Sequence, residues 1–177
     1  MVRTLIAVIG IGQLEEDDPL YKLGVELGRS LIDEGFRLIT GGLGGIMEAA
    51  SRGAHLSEKY HEGDVVGILP GMDKRSANRF VDIPIPTDLG IGRNMIITNS
   101  DAIIAVGGGA GTLSEIAFGW QKGKLVIAMD VAGWSRKVAD TKLDDRARTP
   151  VPDDRIYRAS TAREAVDILK EKLPVYR

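Results

Sequence analysis

Residues 102–112 read AIIAVGGGAGT. The run from Ala102 to Val106 is apolar, rich in branched side chains and ended by glycines, which is typical of a strand buried on both faces of a parallel sheet. A helix is predicted to follow and to end near Gly123, because apolar side chains recur there at helical spacing. Its apolar face comprises Leu113, Ile116, Ala117 and Trp120. The stretch therefore predicts a strand, a glycine loop and a helix in succession.

The same succession of strand and helix extends in both directions from this stretch. Strands are predicted at residues 2–9, 36–40, 65–69 and 124–129. Helices are predicted from Pro19 until Gly35 and at residues 46–60, 93–100 and 161–173, the last one opening with the capping-box pattern TARE. Strands that alternate with helices favour a parallel sheet. We therefore expect an α/β fold, a three-layer sandwich with a Rossmann-like parallel sheet, in a single domain over residues 1–177.

Two stretches fit this alternation less well. Residues 80–85, FVDIPI, form a short extended piece in a segment rich in proline and glycine, and they predict one more strand. Residues 131–154 are polar and contain the charge cluster LDDRAR. They predict a long surface loop or an irregular helix.

Composition narrows the classes of function. The chain has 177 residues with 23 Lys and Arg against 25 Asp and Glu, so its net charge is −2 and no excess of cations is available to neutralise a run of phosphates. The absence of cysteine excludes disulfides, thiol nucleophiles and cysteine-ligated zinc. The apolar run at the start is too short to span a bilayer. These observations predict a cytoplasmic protein without a nucleic-acid or membrane partner.

Glycine clusters follow three of the predicted strands: Gly10 with Gly12, GGLGG at 41–45 and GGGAGT at 107–112. The carboxyl ends of parallel strands share one edge of the sheet, so these loops are expected to meet in one crevice. Glycine turns that open a helix expose backbone N–H groups, and the helix dipole adds about half a positive charge, so the expected ligand is a phosphate. The candidate binding residues in the last two clusters are Gly41, Gly42, Gly45, Gly108, Gly109, Gly111 and Thr112.

Two better-known phosphate loops do not match. The first strand–helix turn reads GIGQLEEDD and lacks the third glycine of a dinucleotide fingerprint, and neither later cluster carries the lysine of a Walker loop. A small molecule with one phosphate fits better. A branched side chain at Gly109 or Gly111 is expected to fill the anion cradle and to disfavour a positive φ. Glycines after strands also form tight turns and permit close packing, and this alternative stays open.

Three polar side chains accompany the last glycine cluster. Thr112 and Glu115 form the pattern TLSE, so Glu115 either completes a capping box or faces the crevice as an acid, a base or a hydroxyl acceptor. Arg93 either clamps the phosphate or pairs with an acid such as Asp101. Asn94 reaches the same edge of the sheet. These residues complete the candidate site, for which we expect no metal ligands.

The motifs GGLGGIMEAASRGA at 41–54 and GRNMIITNSDAIIAVGGGAGTLSEIAFGWQKGK at 92–124 resemble the LOG-type, lysine-decarboxylase-like Rossmann superfamily. Within it they resemble the molybdenum cofactor carrier protein group. The resemblance covers residues 2–129. The superfamily motif PGGxGT with its following glutamate corresponds to residues 107–112 and Glu115, with Gly107 in place of the usual proline. It implies a nucleotide-type binding fold, with molybdenum cofactor as a candidate cargo.

The same superfamily includes phosphoribohydrolases that cleave a nucleoside 5′-monophosphate with an arginine and this glutamate. By that resemblance, Arg93 and Glu115 would be the catalytic residues here. The sequence departs from those enzymes because it lacks the HxRK signature, carries IME where they have LMG, and places Arg93 nearer the glycine loop. A lysine decarboxylase is not expected, because no lysine lies in a strongly apolar strand or a glycine loop to hold pyridoxal phosphate.

The sequence therefore predicts a carrier-type protein that binds a phosphate-bearing heterocycle, either a molybdenum cofactor-like pterin or a nucleotide. The alternatives are a phosphoribohydrolase that releases free base and ribose 5-phosphate, and a regulatory nucleotide sensor that works through a partner. The expected partners are a small phosphorylated ligand and further copies of the chain, as a homodimer or a homotetramer.

Overall fold

The computed structural model describes residues 3–176 and forms a sheet flanked by helices, as expected. Val2, the first residue of the predicted first strand, lies outside the described residues. The strands are β1 (Leu5–Gly10), β2 (Arg37–Thr40), β3 (Val65–Leu69), β4 (Ile83–Pro86), β5 (Ala102–Val106), β6 (Leu125–Met129) and β7 (Tyr157–Ala159). The helices are α1 (Pro19–Asp33), α2 (Ile46–His55), α3 (Asn94–Ile97), α4 (Ala110–Gln121), α5 (Trp134–Val138) and α6 (Ala162–Lys172). Short 3₁₀ turns occur at Lys74–Ser76, Gly90–Arg93 and Leu173–Val175.

All seven described strands are parallel, and their order in the sheet is β4-β3-β2-β1-β5-β6-β7. Ile6 of β1 lies opposite Leu38 on one side and Ala102 on the other. The chain runs outward from β1 to β4 and then returns to place β5 against β1. This reversal of strand order leaves a crevice at the carboxyl ends of β1 and β5, where ligands of open α/β sheets bind.

Apolar side chains fill the space on both faces of the sheet. One core joins residues such as Ile6 and Val8 to Leu27 of α1, Ile46 of α2 and Leu169 of α6. The opposite core places alternate strand residues against α3, α4 and α5. Its members include Ala7, Ile9, Ile97, Ile103, Ile116, Trp120 and Val138. The expected three-layer sandwich is confirmed.

Glycines set the spacing between α1 and α2. A Cβ atom at Gly28 would lie 2.9 Å from the Cα atom of Ala50, and one at Gly53 would lie 2.9 Å from the Cα atom of Val25. Such distances are closer than a side chain permits, so the two helix backbones touch only because these positions lack one. The pair forms a closely packed layer behind β1 and β2.

The structure corrects several predicted boundaries. Helix α2 ends at His55 rather than at Tyr60, because Ser57 donates a hydrogen bond to Asp33 (2.5 Å) and accepts one from the backbone N–H of Lys59 (3.1 Å). These side-chain bonds offer the backbone an alternative to another helical turn. The predicted helix at 93–100 is shorter, since only Asn94–Ile97 is α-helical and a 3₁₀ turn precedes it.

Other predictions in the second half of the chain are confirmed or corrected by the structure. The extended piece at 80–85 contributes strand β4, and the TARE capping box forms, with Thr161 accepting a hydrogen bond from the backbone N–H of Glu164 (3.1 Å). The 131–154 segment contains the short helix α5, and β7 was not predicted. Strand β7 has three residues, too few for a periodic pattern. None of the helices in residues 3–176 is long and apolar enough to cross a membrane.

Candidate functional site

A cavity of about 550 Å³ opens at the carboxyl ends of β1, β2 and β5. It is built where the glycine-rich loops meet the segment that precedes α3. Its lining comprises Ile9, Gly10, Ile11, Gly12, Gly41, Met47, Pro70, Gly90, Ile91, Arg93, Asn94, Gly108, Gly109, Gly111, Thr112, Glu115, Ala132 and Gly133. The structure therefore brings residues from all three predicted glycine clusters into one crevice.

All but two of the predicted site residues line this cavity. The exceptions are Gly42 and Gly45. Gly42 has φ 73° and lies against the backbone of Gly67, while Gly45, with φ 63°, precedes α2 and contacts the turn after β1. These two glycines serve the turn and the close packing, which is the alternative that the sequence left open. Of the 41–45 loop, Gly41 faces the cavity.

The loop between β5 and α4 presents unpaired backbone donors. Gly109 is the N-cap of α4, and the N–H groups of residues 109–112 have no hydrogen-bond acceptor within the described part of the chain. A Cβ atom at Gly109 or at Gly111 would meet open space. Unpaired N–H groups at the start of a helix favour a bound anion. The loop therefore has the form of an anion cradle.

The expected positive φ at Gly109 and Gly111 is wrong. Gly109 has φ −103°, and Gly111 lies within α4. The left-handed residues are Gly107 (φ 62°) and Gly108 (φ 86°), which turn the chain out of β5. A Cβ atom at Gly108 would also overlap the side chain of Thr112. The turn thus needs its glycines at positions 107 and 108 rather than at 109 and 111.

The predicted capping box of Thr112 and Glu115 does not form. Because the glycine turn starts α4 at Ala110, Thr112 lies in the first helical turn rather than at the N-cap. The Glu115 side chain lies instead at the cavity, where the residue is 7% exposed. Burial raises the pKa of the Glu115 carboxyl to about 7, and the positive charge of Arg93 opposes this shift. Glu115 is therefore able to gain or lose a proton near neutral pH.

Arg93 enters the cavity without a partner. Its Nε and Nη1 atoms are buried and make no hydrogen bond in the described structure. The predicted alternative, a pair with Asp101, does not form: Asp101 directly precedes β5, at the strand end away from the cavity, and accepts a hydrogen bond from the backbone N–H of Leu5 (2.8 Å). Burial lowers the pKa of the Arg93 guanidinium, and the charge of Glu115 opposes this effect. The site thus holds a partly desolvated cation that an anion would stabilise.

The space for the guanidinium comes from Gly41. A Cβ atom there would lie 2.8 Å from Nη2 of Arg93 and 2.7 Å from Sδ of Met47. Any larger residue at position 41 would therefore displace one of these side chains. The first glycine of the 41–45 loop consequently shapes the cation site, although it contributes no side chain of its own.

Two polar clamps fasten the segment that carries Arg93 to α4. Asn94 donates from Nδ2 to Oγ of Ser114 (2.9 Å) and to the carbonyl of Gly111 (3.4 Å). At the other end of α4, Nζ of Lys122 donates to the carbonyl of Met95 (2.5 Å) and to two neighbouring side-chain oxygens. Sequence reasoning placed Asn94 at the site but missed Lys122, which carries no local pattern to mark it.

Part of the cavity lining is apolar. It includes Ile11, Met47, Pro70 and Ile91, which sequence reasoning did not predict as site residues. They come from four separate parts of the chain, so no local spacing reveals that they meet. No cluster of three metal-ligating side chains occurs among the residues that the structure describes. The cavity therefore combines a cation and unpaired backbone donors with apolar side chains.

The sequence model of the SLOG cluster4 family matches residues 3–165. The chain belongs to this family. An uncharacterized protein of Archaeoglobus fulgidus is 46% identical over 125 residues, which cover 70% of this chain and 78% of that protein. The expected superfamily resemblance is thereby confirmed.

Two solved structures are similar to this SLOG cluster4 protein over nearly their whole length. The molybdenum cofactor binding protein from the phototrophic bacterium Rippkaea orientalis has 33% identity and a TM-score of 0.79, covering 97% of this chain and 98% of that one. The molybdenum cofactor carrier protein of Chlamydomonas reinhardtii has 28% identity and a TM-score of 0.79, covering 97% and 99%. The likeness to this carrier group, which the motifs indicated, is confirmed.

Proposed function

We propose that this SLOG cluster4 protein is a carrier that binds a phosphate-bearing heterocycle, either a molybdenum cofactor-like pterin or a nucleotide. The observation that carries the proposal is the guanidinium of Arg93, whose buried Nε and Nη1 atoms have no hydrogen-bond partner, together with a cradle of unpaired N–H groups at residues 109–112. Both features offer hydrogen-bond donors to an anion. The proposed ligand places its phosphate between them.

The energetics support an anionic ligand. Removing a charged side chain from water without a partner costs several kcal/mol. Charge-assisted hydrogen bonds to a phosphate would offset this cost. Arg93 is the only cationic side chain among the lining residues, which favours a single phosphate over a polyphosphate. The apolar side chains of Ile11, Met47 and Ile91 then receive the heterocycle.

The relatives support the choice of cargo. Two similar solved structures are a protein named for binding molybdenum cofactor and a protein named for carrying it. In the proposal, this protein works in the cytoplasm as a homodimer or a homotetramer, without nucleic acid or membrane. The exposed apolar side chains of Met72 and Leu89, outside the cavity lining, support self-association.

The alternative is hydrolysis of a nucleoside 5′-monophosphate. The observation that favours it is Glu115, a buried carboxyl with a pKa of about 7 in the same cavity as Arg93. A general acid or base works best when its pKa lies near the working pH. Free-base release from AMP, CMP or GMP, measured by chromatography, distinguishes the two functions. Steady release by the wild type that disappears in Glu115→Gln would establish the hydrolase instead of the carrier.

Calorimetry tests the proposed binding. We expect AMP to bind more tightly than adenosine, or a phosphorylated pterin more tightly than its dephosphorylated form. Arg93→Gln should lower the affinity for the phosphorylated compound by about tenfold to a hundredfold, which is the range for loss of a hydrogen bond to a charged group. Arg163→Gln is the matched control, since its exposed side chain lies on α6, away from the cavity. Equal affinity with and without phosphate would refute the proposal.

A further inference from the structure

Ser135, in the first turn of α5, is completely buried and lies outside the cavity lining. Its hydroxyl accepts a hydrogen bond from the backbone N–H of Gly107 (2.7 Å) and donates one to the carbonyl of Met129 (2.7 Å). One side chain thus ties the end of β6 to the first glycine of the proposed phosphate loop.

The backbone around Ser135 holds the same two glycines. The N–H of Trp134 donates to the carbonyl of Gly108 (3.0 Å), and the N–H of Ser135 donates to the carbonyl of Gly107 (3.1 Å). Gly133 has φ 124°, and a Cβ atom there would lie 2.8 Å from the N atom of Gly108. The β6–α5 segment therefore packs directly on the left-handed turn and fixes it.

This arrangement decides which backbone donors face the cavity. The N–H and carbonyl of Gly107 and the carbonyl of Gly108 all bond to Ser135 or Trp134. The N–H groups of residues 109–112 stay without an acceptor in the described chain. With the left-handed turn held in this way, the first turn of α4 starts in one orientation, and its donors point in one direction.

We infer that Ser135 is a positioning residue that orders the 107–112 loop for phosphate binding without contacting the ligand. The inference rests on the proposed function. Without the hydroxyl, Gly107 has a buried N–H with no acceptor, and the turn that aims the donors loses its side-chain support. The loop then samples other orientations, and each phosphate bond forms less often.

The test compares Ser135→Ala with Ser100→Ala by calorimetry with AMP and adenosine. Ser100 is the matched control, because it is also buried and its hydroxyl donates to the carbonyl of Ala102 (3.0 Å) at the opposite end of β5. We expect Ser135→Ala to lower the affinity for AMP about tenfold and to leave the affinity for adenosine unchanged. Ser100→Ala should change neither affinity. If the wild type does not bind AMP, the same comparison is made with a phosphorylated pterin and its dephosphorylated form in place of AMP and adenosine.

Hydrogen exchange of the amides of residues 134 and 135, which donate to the carbonyls of Gly108 and Gly107, provides a second measurement that needs no ligand. Exchange should accelerate in Ser135→Ala and remain as in the wild type in Ser100→Ala. If the alanine variant does not fold, Ser135→Cys takes its place. Cysteine has the same branching with a weaker donor and acceptor, and it should also weaken AMP binding and accelerate exchange.

The outcomes separate the inference from the function on which it rests. A wild type that does not prefer the phosphorylated compound would refute the proposed function, and the inference with it. A wild type that prefers it, together with a Ser135→Ala variant that is less stable but keeps the same preference, would refute only the positioning role. Selective loss of phosphate-dependent affinity with faster exchange at residues 134 and 135 supports both.

Discussion

Replacing Glu115 by glutamine should stabilise the protein above neutral pH. The carboxyl has its pKa raised from 4.5 to about 7 on folding, so the folded state binds this proton more tightly than the unfolded state does. The free energy of unfolding therefore falls as pH rises from about 4.5 to 7 and stays lowered above that range. Since each pKa unit corresponds to about 1.4 kcal/mol, the penalty at pH 8.5 is about 3 kcal/mol. Glutamine has no proton to lose and avoids it.

Urea unfolding followed by circular dichroism at pH 4 and pH 8.5 measures this difference. We expect Glu115→Gln to match the wild type at pH 4 and to exceed it by about 3 kcal/mol at pH 8.5, equivalent to about 6 to 12 °C in melting temperature. Glu26→Gln on α1 is exposed and controls for the loss of a charge, with an expected change below about 0.5 kcal/mol. A Glu115→Gln variant that is less stable than the wild type at pH 8.5 would refute the reasoning.

Three further substitutions test other parts of the molecule. Gly41→Ala should displace the Arg93 guanidinium and weaken AMP binding at least tenfold in calorimetry, because the new methyl group overlaps it. Gly108→Ala should lower the free energy of unfolding by about 1 to 3 kcal/mol, whereas Gly109→Ala, at a negative φ with open space, should change it little. Thr161→Ala should remove the N-cap of α6 and lower the melting temperature by the equivalent of about 1 kcal/mol.

For each of these three predictions, one result would contradict it. Gly71→Ala is the control for Gly41→Ala, since a Cβ atom at Gly71 meets nothing within 4 Å, and equal AMP affinity in the two variants would mean that Arg93 does not hold phosphate. Equal stability of Gly108→Ala and Gly109→Ala would show that the left-handed turn carries no strain. An unchanged melting temperature in Thr161→Ala would mean that water replaces the cap.

The central sheet and the position of the cavity were predictable from local patterns. Buried parallel strands such as β5 are continuous apolar runs, and glycines mark their carboxyl ends, so strand location and the meeting of the loops follow from a few residues at a time. The partners of the polar residues were not predictable. Arg93 lines the cavity at the carboxyl ends of the strands, whereas Asp101 precedes β5 at the amino end and bonds to Leu5, so the two charges do not meet.

The capping box that does not form at α4 also shows that local patterns miss contacts between distant segments. The letters TLSE fit a cap only if the helix starts after Thr112, yet the glycine turn held by the β6–α5 segment starts it at Ala110. A four-residue pattern therefore cannot predict the first residue of a helix when contacts with a distant segment determine where that helix begins. The end of α2 is similar, because Asp33 of α1 bonds to Ser57 and stops the helix.

The two walls of the cavity differ in mechanical compliance. Behind one wall, α1 and α2 touch backbone to backbone at Gly28 and Gly53, an arrangement that cannot yield without separating whole helices. The other wall carries Arg93 and is fastened to α4 by hydrogen bonds from Asn94 and Lys122, which break and re-form individually. The cation therefore lies on the side of the cavity that is fastened by individual hydrogen bonds rather than by contact between helix backbones.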